Sequence, residues 1–171
     1  MANRLPEQIY PLRLARSSRS LKGRIRLDRM TRLARSLVSA SDEVDVILDF
    51  GHDETGTSCV RGRVTGYLQL VCQRCLRPMD FSVEAEIGLA IVASEEDAEQ
   101  LTSEFEPLVV KEEPISLSEM LEDELILALP IIPKHTPETC SAGVAEEMID
   151  AEDEAPRESP FATLAQLKSD K

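Results

Sequence analysis

The chain has 171 residues, of which 42% are hydrophobic and only 4% aromatic, with no tryptophan. This length supports one folded domain, and the scarcity of aromatic side chains argues against RNA recognition mainly by base stacking. No stretch reaches the ~20 apolar residues of a membrane-spanning helix, and the first residues lack the apolar run of a secretory signal. The sequence therefore predicts a cytoplasmic protein, while its Arg-rich start leaves an organelle transit peptide as an alternative.

Charge is distributed very unevenly along the chain. The formal net charge is −13, yet the first 40 residues contain ten basic side chains and only two acidic ones. A basic segment beside an acidic body is typical of proteins that contact nucleic acid. The alternative is that the basic side chains pair with the chain's own acidic surface. The residues expected to contact RNA are Arg24, Arg26, Arg29, Arg32 and Arg35.

The N-terminal third is predicted to contain a basic arm followed by a helix. Residues 1–27 form the arm, in which the apolar alternation at 9–14 indicates an edge strand. Residues 28–140 form the predicted core domain, which begins with an amphipathic helix capped by Asp28. The apolar stripe of this helix consists of Met30, Leu33, Ala34, Leu37 and Val38.

Alternating apolar residues predict strands at 44–50, 59–65 and 81–92, with a turn at 51–56, a bend or bulge at Gly66 and a further strand at 108–110. Two capping boxes predict helices. One helix begins at Ser94 and ends near residue 101; the other begins at Ser116, carries a leucine stripe and stops at Pro130. Glu122 is expected on the solvated face of the second helix.

These elements predict an α+β fold with a mainly antiparallel, barrel-like sheet of five or six strands and two or three packed helices. Residues 141–171 are predicted to be a disordered acidic linker, because they contain too few apolar residues to hold a fold. The linker ends in a short helical peptide at 160–168, which we expect to dock on a partner or on the parent domain.

The Cys72-Gln-Arg-Cys75 motif is the sharpest chemical signal, because two thiolates two residues apart can both reach one zinc ion. The second half of the site must lie elsewhere, and neither His52, in a turn, nor Cys59, within a strand, is suitably placed. Packed thiols without a metal and a redox pair remain alternatives. The predicted zinc ligands are Cys72, Cys75, His135 and Cys140.

The sequence contains no P-loop, dinucleotide-binding, nucleophile-elbow or zinc-protease motif. Acidic pairs such as Glu122 and Glu124 suit acid/base chemistry in principle, but such side chains on an exposed helix usually serve solvation. A nuclease would need clustered carboxylates or a histidine pair, and one of the two histidines is a predicted metal ligand. We therefore expect no catalysis.

Three segments closely resemble the YceD family in order and spacing: Leu-Val-Cys-Gln-Arg-Cys-Leu-Arg-Pro at 70–78, Leu-Glu-Asp-Glu-Leu-Ile-Leu-Ala-Leu-Pro-Ile-Ile-Pro-Lys-His at 121–135, and Pro-Phe-Ala-Thr-Leu-Ala-Gln-Leu-Lys at 160–168. This family is described as large ribosomal RNA subunit accumulation protein, and its genes typically neighbour one for a large-subunit ribosomal protein. The resemblance implies a non-catalytic factor that promotes synthesis, processing or stability of 23S ribosomal RNA.

Two partners follow from this interpretation. The first is large-subunit ribosomal RNA or a pre-ribosomal particle, bound through phosphate contacts of the basic segment. The second is a basic ribosomal protein, for which the acidic surface and C-terminal peptide would act as an adaptor or chaperone. Substitutions in the basic segment would abolish the first role, whereas deletion of the linker and tail would abolish the second.

Overall fold

A computed structural model describes residues 4–101, 105–111 and 113–140. Within them a five-stranded sheet is covered on one face by short helices and by the N-terminal segment. The elements are β1 Gln8–Ile9, α1 Pro11–Arg16, β2 Ser20–Arg26, a 3-10 turn Leu27–Arg29, α2 Thr31–Ala34, β3 Glu43–His52, β4 Ser58–Val71, β5 Pro78–Val92, α3 Glu95–Glu99, β6 Glu106–Val109, β7 Ile115–Ser116, α4 Leu117–Leu127 and α5 Pro137–Cys140.

The main sheet has the strand order β2-β3-β4-β5-β6. The first four strands are antiparallel neighbours, and β6 joins β5 in parallel. A separate antiparallel pair, β1 with β7, ties the N-terminal segment to the start of α4. The α+β, mainly antiparallel prediction is confirmed; β2 and β6 are edges, so the described strands form an open sheet and not a closed barrel.

The β4–β5 hairpin is longer and more regular than the sequence indicated. β4 runs without a break through Gly66, which lies opposite Val83. A Cβ atom at Gly66 would lie only 2.7 Å from Cγ1 of Val44. The glycine therefore permits close packing against a neighbouring strand, and the predicted bend or bulge is wrong.

The core lies between one face of the sheet and α4. Alternate residues of β3, β4 and β5 point into it, as period-two patterning requires. The stripe of α4 supplies Leu117, Leu121 and Leu125, each with no exposed surface. Burial of one such leucine contributes about 1.5–3 kcal/mol relative to an exposed position.

The predicted edge strand at 9–14 is wrong. Only Gln8–Ile9 is extended, and α1 begins at Pro11. Proline suits the first helical position, since its fixed φ is already helical and an N–H there would lack a partner in the helix. Apolar alternation over so few residues did not distinguish a strand from a short helix.

The single amphipathic helix predicted from Asp28 is also wrong. A 3-10 turn is followed by the four-residue α2, because Met30 between them has non-helical φ and ψ values of −105° and 82°. Asp28 caps neither element and instead accepts a 2.6 Å hydrogen bond from Arg26. Beyond α2, the Val38 N–H donates to the Gln69 carbonyl, which draws the chain towards β4.

The serine N-caps of both predicted capping boxes are confirmed. Ser94 accepts a hydrogen bond from the Asp97 N–H at the start of α3, and Ser116 accepts one from the Glu119 N–H at the start of α4. With 11 residues, α4 is the longest described helix.

None of the described helices has the length and apolar composition that crossing a membrane requires. The predicted linker and C-terminal peptide at 141–171 lie outside the described residues.

Glu122 is buried, whereas the sequence predicts a solvent-exposed side chain. It is 2% exposed, and its Oε1 accepts hydrogen bonds from the backbone N–H groups of Arg32 and Leu33 at 2.6 and 2.9 Å. These N–H groups are in the first turn of α2, where they have no partner within the helix. The carboxylate on α4 therefore caps α2, so the prediction of a solvated Glu122 is wrong.

Candidate metal centre and basic surfaces

The loop between β4 and β5 places two cysteines close together. Val71 pairs with Pro78 across the hairpin, which leaves residues 72–77 as its loop. The Cys72 N–H donates to the Arg77 carbonyl at 2.9 Å, and the Leu76 N–H donates to the Cys72 carbonyl at the same distance. Both thiols are therefore held on one tight loop at the end of the sheet.

The segment after α4 brings the other two predicted ligands to this loop. The Gln73 N–H donates to the Pro133 carbonyl at 2.8 Å, which holds the extended segment against the hairpin. Two residues later is His135, and the short α5 buries Cys140. Hydrophobic spacing alone would not have placed these residues, because no regular element connects them to the hairpin.

All four predicted ligands converge. The donor atoms of Cys72, Cys75, His135 and Cys140 lie within 4.8 Å of one another. The Cys72 and Cys140 sulfurs are 3.8 Å apart, and Cys75 Sγ lies 3.3 Å from His135 Nδ1. Two sulfurs on one tetrahedral zinc are separated by about 3.8 Å, since each Zn–S bond is about 2.3 Å. The donor set and its spacing thus fit a metal ion.

Surrounding groups orient the donors. His135 Nε2 lies 3.1 Å from the Pro78 carbonyl, so donation from this nitrogen leaves Nδ1 as the free ligand atom. Arg74 Nε donates to Cys140 Sγ at 2.9 Å, and this hydrogen bond raises the pKa of the guanidinium. Such outer contacts fix ring orientation and stabilise thiolates at metal sites.

The surroundings of Cys72 favour its thiolate form. Burial opposes its ionisation, but three backbone N–H groups point at the sulfur, and the net effect lowers the Cys72 pKa to about 5. These N–H groups belong to Cys75, His135 and Arg74. A thiolate, not a thiol, is the form that binds a metal.

The Cys75 thiol responds in the opposite direction. A hydrogen bond from the Arg77 backbone favours ionisation, but burial and the neighbouring sulfurs outweigh it and raise the Cys75 pKa. Negative charge on several sulfurs within a few ångströms is self-repelling unless a cation lies between them. All four cysteines of the chain are free thiols. The cluster is therefore suited to a metal cation.

Four of the five arginines predicted to contact RNA form ion pairs with carboxylates of the chain itself. Arg35 is exposed and forms no ion pair with any described residue. RNA contact by these five residues stays a prediction. The ion pairs are Arg24–Asp45 at 3.0 Å, Arg26–Asp28 at 2.6 Å, Arg29–Glu7 at 2.8 Å, Arg32–Glu122 at 3.0 Å and Arg32–Asp123 at 2.6 Å.

A different basic region lies beside α1, and we name it the α1 cleft. Its volume is about 180 Å³. Sequence patterns did not indicate this cleft, because the alternation at 9–14 predicts a strand and Lys111, one of its cations, follows β6 far along the chain. The lining residues are Tyr10, Pro11, Leu12, Arg13, Arg16, Lys111 and Glu113.

Comparison with known proteins supports one family. The model of the family described as large ribosomal RNA subunit accumulation protein YceD matches residues 60–168. A protein of this name from Haemophilus influenzae is 33% identical over 168 residues, which cover 96% of this chain and 97% of that protein. No solved structure matches the chain. Because the family model covers more than half of the chain and the relative nearly all of it, the chain belongs to the YceD family.

Proposed function

We propose that the protein is a non-catalytic cytoplasmic factor that promotes synthesis, processing or stability of 23S ribosomal RNA during ribosome biogenesis. One observation carries the proposal: the relationship to the Haemophilus influenzae protein extends over 96% of the chain, and that protein is named for large ribosomal RNA subunit accumulation. Similarity over nearly the whole length favours a shared role for the whole protein over a borrowed module.

Direct RNA contact is the mechanism that the basic N-terminal segment supports. Arginine contacts to phosphates are largely independent of sequence and weaken steeply with salt. The side chains of Arg24 and Arg26 are more than half exposed, and an exposed ion pair contributes only about 0–1 kcal/mol. These arginines can therefore exchange a carboxylate for an RNA phosphate, while Arg35 has no described ion pair to exchange.

The hydrogen bonds and the pKa of Glu122 support the proposal that the protein is not catalytic. A buried carboxylate with a raised pKa can act in general acid/base chemistry. Glu122 already accepts two backbone hydrogen bonds and one from Arg32 Nε. These donors lower its pKa despite its burial, so the group is held ionised and occupied as a helix cap.

Zinc is the proposed cofactor, because three thiols and one imidazole are the donor set of closed structural zinc sites. All four tetrahedral positions would be filled by the protein, so zinc would supply a cross-link and no open position for a substrate or water. The four ligands would then fix the segment at 129–140 to the β4–β5 loop. Metal analysis of the purified protein by mass spectrometry should find close to one zinc per chain; a metal-free, fully folded protein would overturn this part.

The cellular test compares a strain lacking the gene with the same strain carrying it on a plasmid. We expect the ratio of 23S to 16S ribosomal RNA to fall in the deletion strain and to recover with the plasmid. An unchanged ratio would sink the proposed function. A plasmid copy lacking residues 141–171 separates the alternative: full recovery without the tail argues against the adaptor role for a basic ribosomal protein, and failure to recover supports it.

A test in solution addresses the mechanism. Purified protein is mixed with transcripts of 23S ribosomal RNA fragments across a salt series, and both complex formation and transcript length are measured. Salt-sensitive binding with intact transcripts is expected. Shortened transcripts would contradict the non-catalytic part, and no binding even at low salt would contradict direct RNA contact.

A further inference from the structure

We infer that the α1 cleft binds a phosphate group of single-stranded RNA, with Arg13, Arg16 and Lys111 as its cationic contacts. The inference rests on the proposed function and deepens it, because it names a site that the sequence did not predict. In contrast to the paired arginines of β2 and α2, these three side chains form no ion pair with any described residue. All three are exposed.

The charge of the cleft differs from that of the chain. Among the described residues, three cations and one carboxylate, Glu113, line it, whereas the chain as a whole has a net charge of −13. At physiological salt, charges beyond about 8 Å are largely screened, so an anion in the cleft responds mainly to these nearby cations. The cleft volume of about 180 Å³ is several times the ~30 Å³ that a water molecule occupies in the liquid, which leaves room for a phosphate group.

The α1 cleft is held in place by packing. Ala15 has no exposed surface and Pro11 is buried, so α1 is anchored to the core. At the end of the helix, the Arg19 N–H donates to the Leu14 carbonyl and closes the turn into β2. Because the helix is anchored, Arg13 and Arg16 extend from a fixed backbone and lose less freedom on binding than side chains of a mobile arm.

Tyr10 adds a reason to favour unpaired RNA. The Arg13 guanidinium lies 4.6 Å from the centre of the Tyr10 ring, in cation–π contact. The tyrosine remains 40% exposed, so an unpaired base next to the bound phosphate can reach the ring, whereas a base inside a duplex cannot. Guanidinium groups that stack on an aromatic ring keep their N–H donors available for phosphate.

A purely structural explanation covers only part of the cleft. Arg13 and Arg16 are in the last turn of α1, where cations interact favourably with the carbonyl ends of the helix. Lys111 is outside that helix, just beyond β6, and yet lines the same cavity. Helix stabilisation therefore does not account for the convergence of all three cations.

The test measures binding of the full-length protein to a fluorescein-labelled oligouridylate by fluorescence anisotropy, between about 50 and 200 mM KCl. The double variant Arg13→Gln/Arg16→Gln is compared with Arg61→Gln/Arg63→Gln, which removes the same charge from two exposed arginines of β4 that do not line the cleft. We expect the cleft variant to bind at least about tenfold more weakly, with a plot of log K against log salt flatter by about 1.4. The control variant should change the affinity by less than about threefold, because its charges are removed outside the cleft. Lys111→Gln, on another segment, should weaken binding in the same direction.

Each other result overturns the inference in a recognisable way. Binding that both double variants weaken equally would leave RNA contact standing but remove the cleft as its site. No binding by the wild-type protein would contradict the RNA contact of the proposed function as well. Displacement of the RNA by polyglutamate at equal charge concentration would indicate an acidic peptide as occupant instead of RNA. Thermal unfolding of all variants verifies that each is folded.

Discussion

The sequence predicts binding regions at both the candidate metal centre and the basic N-terminal segment. In the structure, the predicted binding residues of the two regions have different kinds of partner. At the metal centre, thiols and an imidazole from segments separated by 60 and 68 residues meet with their donor atoms directed at one another. In the basic segment, most of the predicted arginines meet carboxylates of the same chain. A ligand motif restricts both residue type and geometry, whereas a run of charge does not specify which opposite charge will pair with it.

Composition explains why the basic segment behaves in this way. The chain contains 32 acidic residues for 19 basic ones, so an arginine on its surface has many carboxylates within reach. The α1 cleft differs, since cations outnumber carboxylates among the described residues that line it. Partners are therefore better sought where cations converge without paired carboxylates than where cations are dense in the sequence.

The largest expected effect tests the metal half of this comparison. Cys75→Ala should abolish zinc binding and lower Tm by more than about 10 °C, because structural zinc contributes several kcal/mol to folding. Cys59→Ala is the matched control, since Cys59 is buried in β4 outside the cluster and its loss should leave the zinc content unchanged. Retention of zinc by Cys75→Ala would show that Cys75 is not a ligand.

The next largest effect concerns the ion pair between Arg32 and Glu122, which stabilises the fold. Glu122→Gln should lower the free energy of unfolding by about 2–4 kcal/mol, because charge-assisted hydrogen bonds to α2 and Arg32 are lost. Asp123→Asn removes the exposed carboxylate that pairs with the same arginine and should change stability by less than about 1 kcal/mol. Urea unfolding measures both variants, and equal losses would refute the capping role of Glu122.

The same carboxylate predicts how stability depends on pH. Burial opposes ionisation of Glu122, but hydrogen bonds from Leu33 and Arg32 outweigh it and hold the pKa below the usual 4.5. A lowered pKa in the folded state contributes stability that is complete above the unfolded value and declines as pH falls through the folded one. The stability difference between wild-type protein and Glu122→Gln should thus narrow below about pH 4.5. A constant difference down to strongly acidic pH would contradict the lowered pKa.

The smallest expected effect concerns the paired arginines of the basic N-terminal segment. Asp28→Asn/Asp45→Asn frees Arg26 and Arg24 from their carboxylates. We expect RNA binding to tighten by about threefold and to depend more steeply on salt, with stability little changed, because exposed ion pairs contribute little to folding. Anisotropy titrations measure the change. Unaltered affinity would mean that these two arginines do not reach RNA even when released.

Local patterns predicted most of the sheet and both capped helices. Alternation identified β3 and β5, and the serine caps of α3 and α4 were visible within four residues of sequence. The four candidate metal ligands were predicted for a related reason: few residue types bind zinc, and the chain offers little choice among them. Where the information is local or chemically restrictive, the sequence was sufficient.

These local patterns did not predict contacts between residues that lie far apart in the sequence. Glu122 looked like any acidic residue on a helix surface, and its role depends on α2 packing against it from 89 and 90 residues away. The α1 cleft likewise combines an early helix with Lys111. Neither arrangement leaves a periodic signal, because the spacing that matters is set by tertiary packing and not by the repeat of a helix or strand.

The contacts between the β4–β5 loop and the segment after α4 close a large ring in the chain. A metal ion bridging Cys75 and His135 would enclose a loop whose ends are 60 residues apart; by analogy with a disulfide of that span, it would remove about 4 kcal/mol of conformational entropy from the unfolded chain. That ring contains α4. Since Glu122 on α4 caps α2, such a cross-link would also restrain the arginine-bearing segment that α4 holds, and zinc supply would set how tightly the N-terminal third is held.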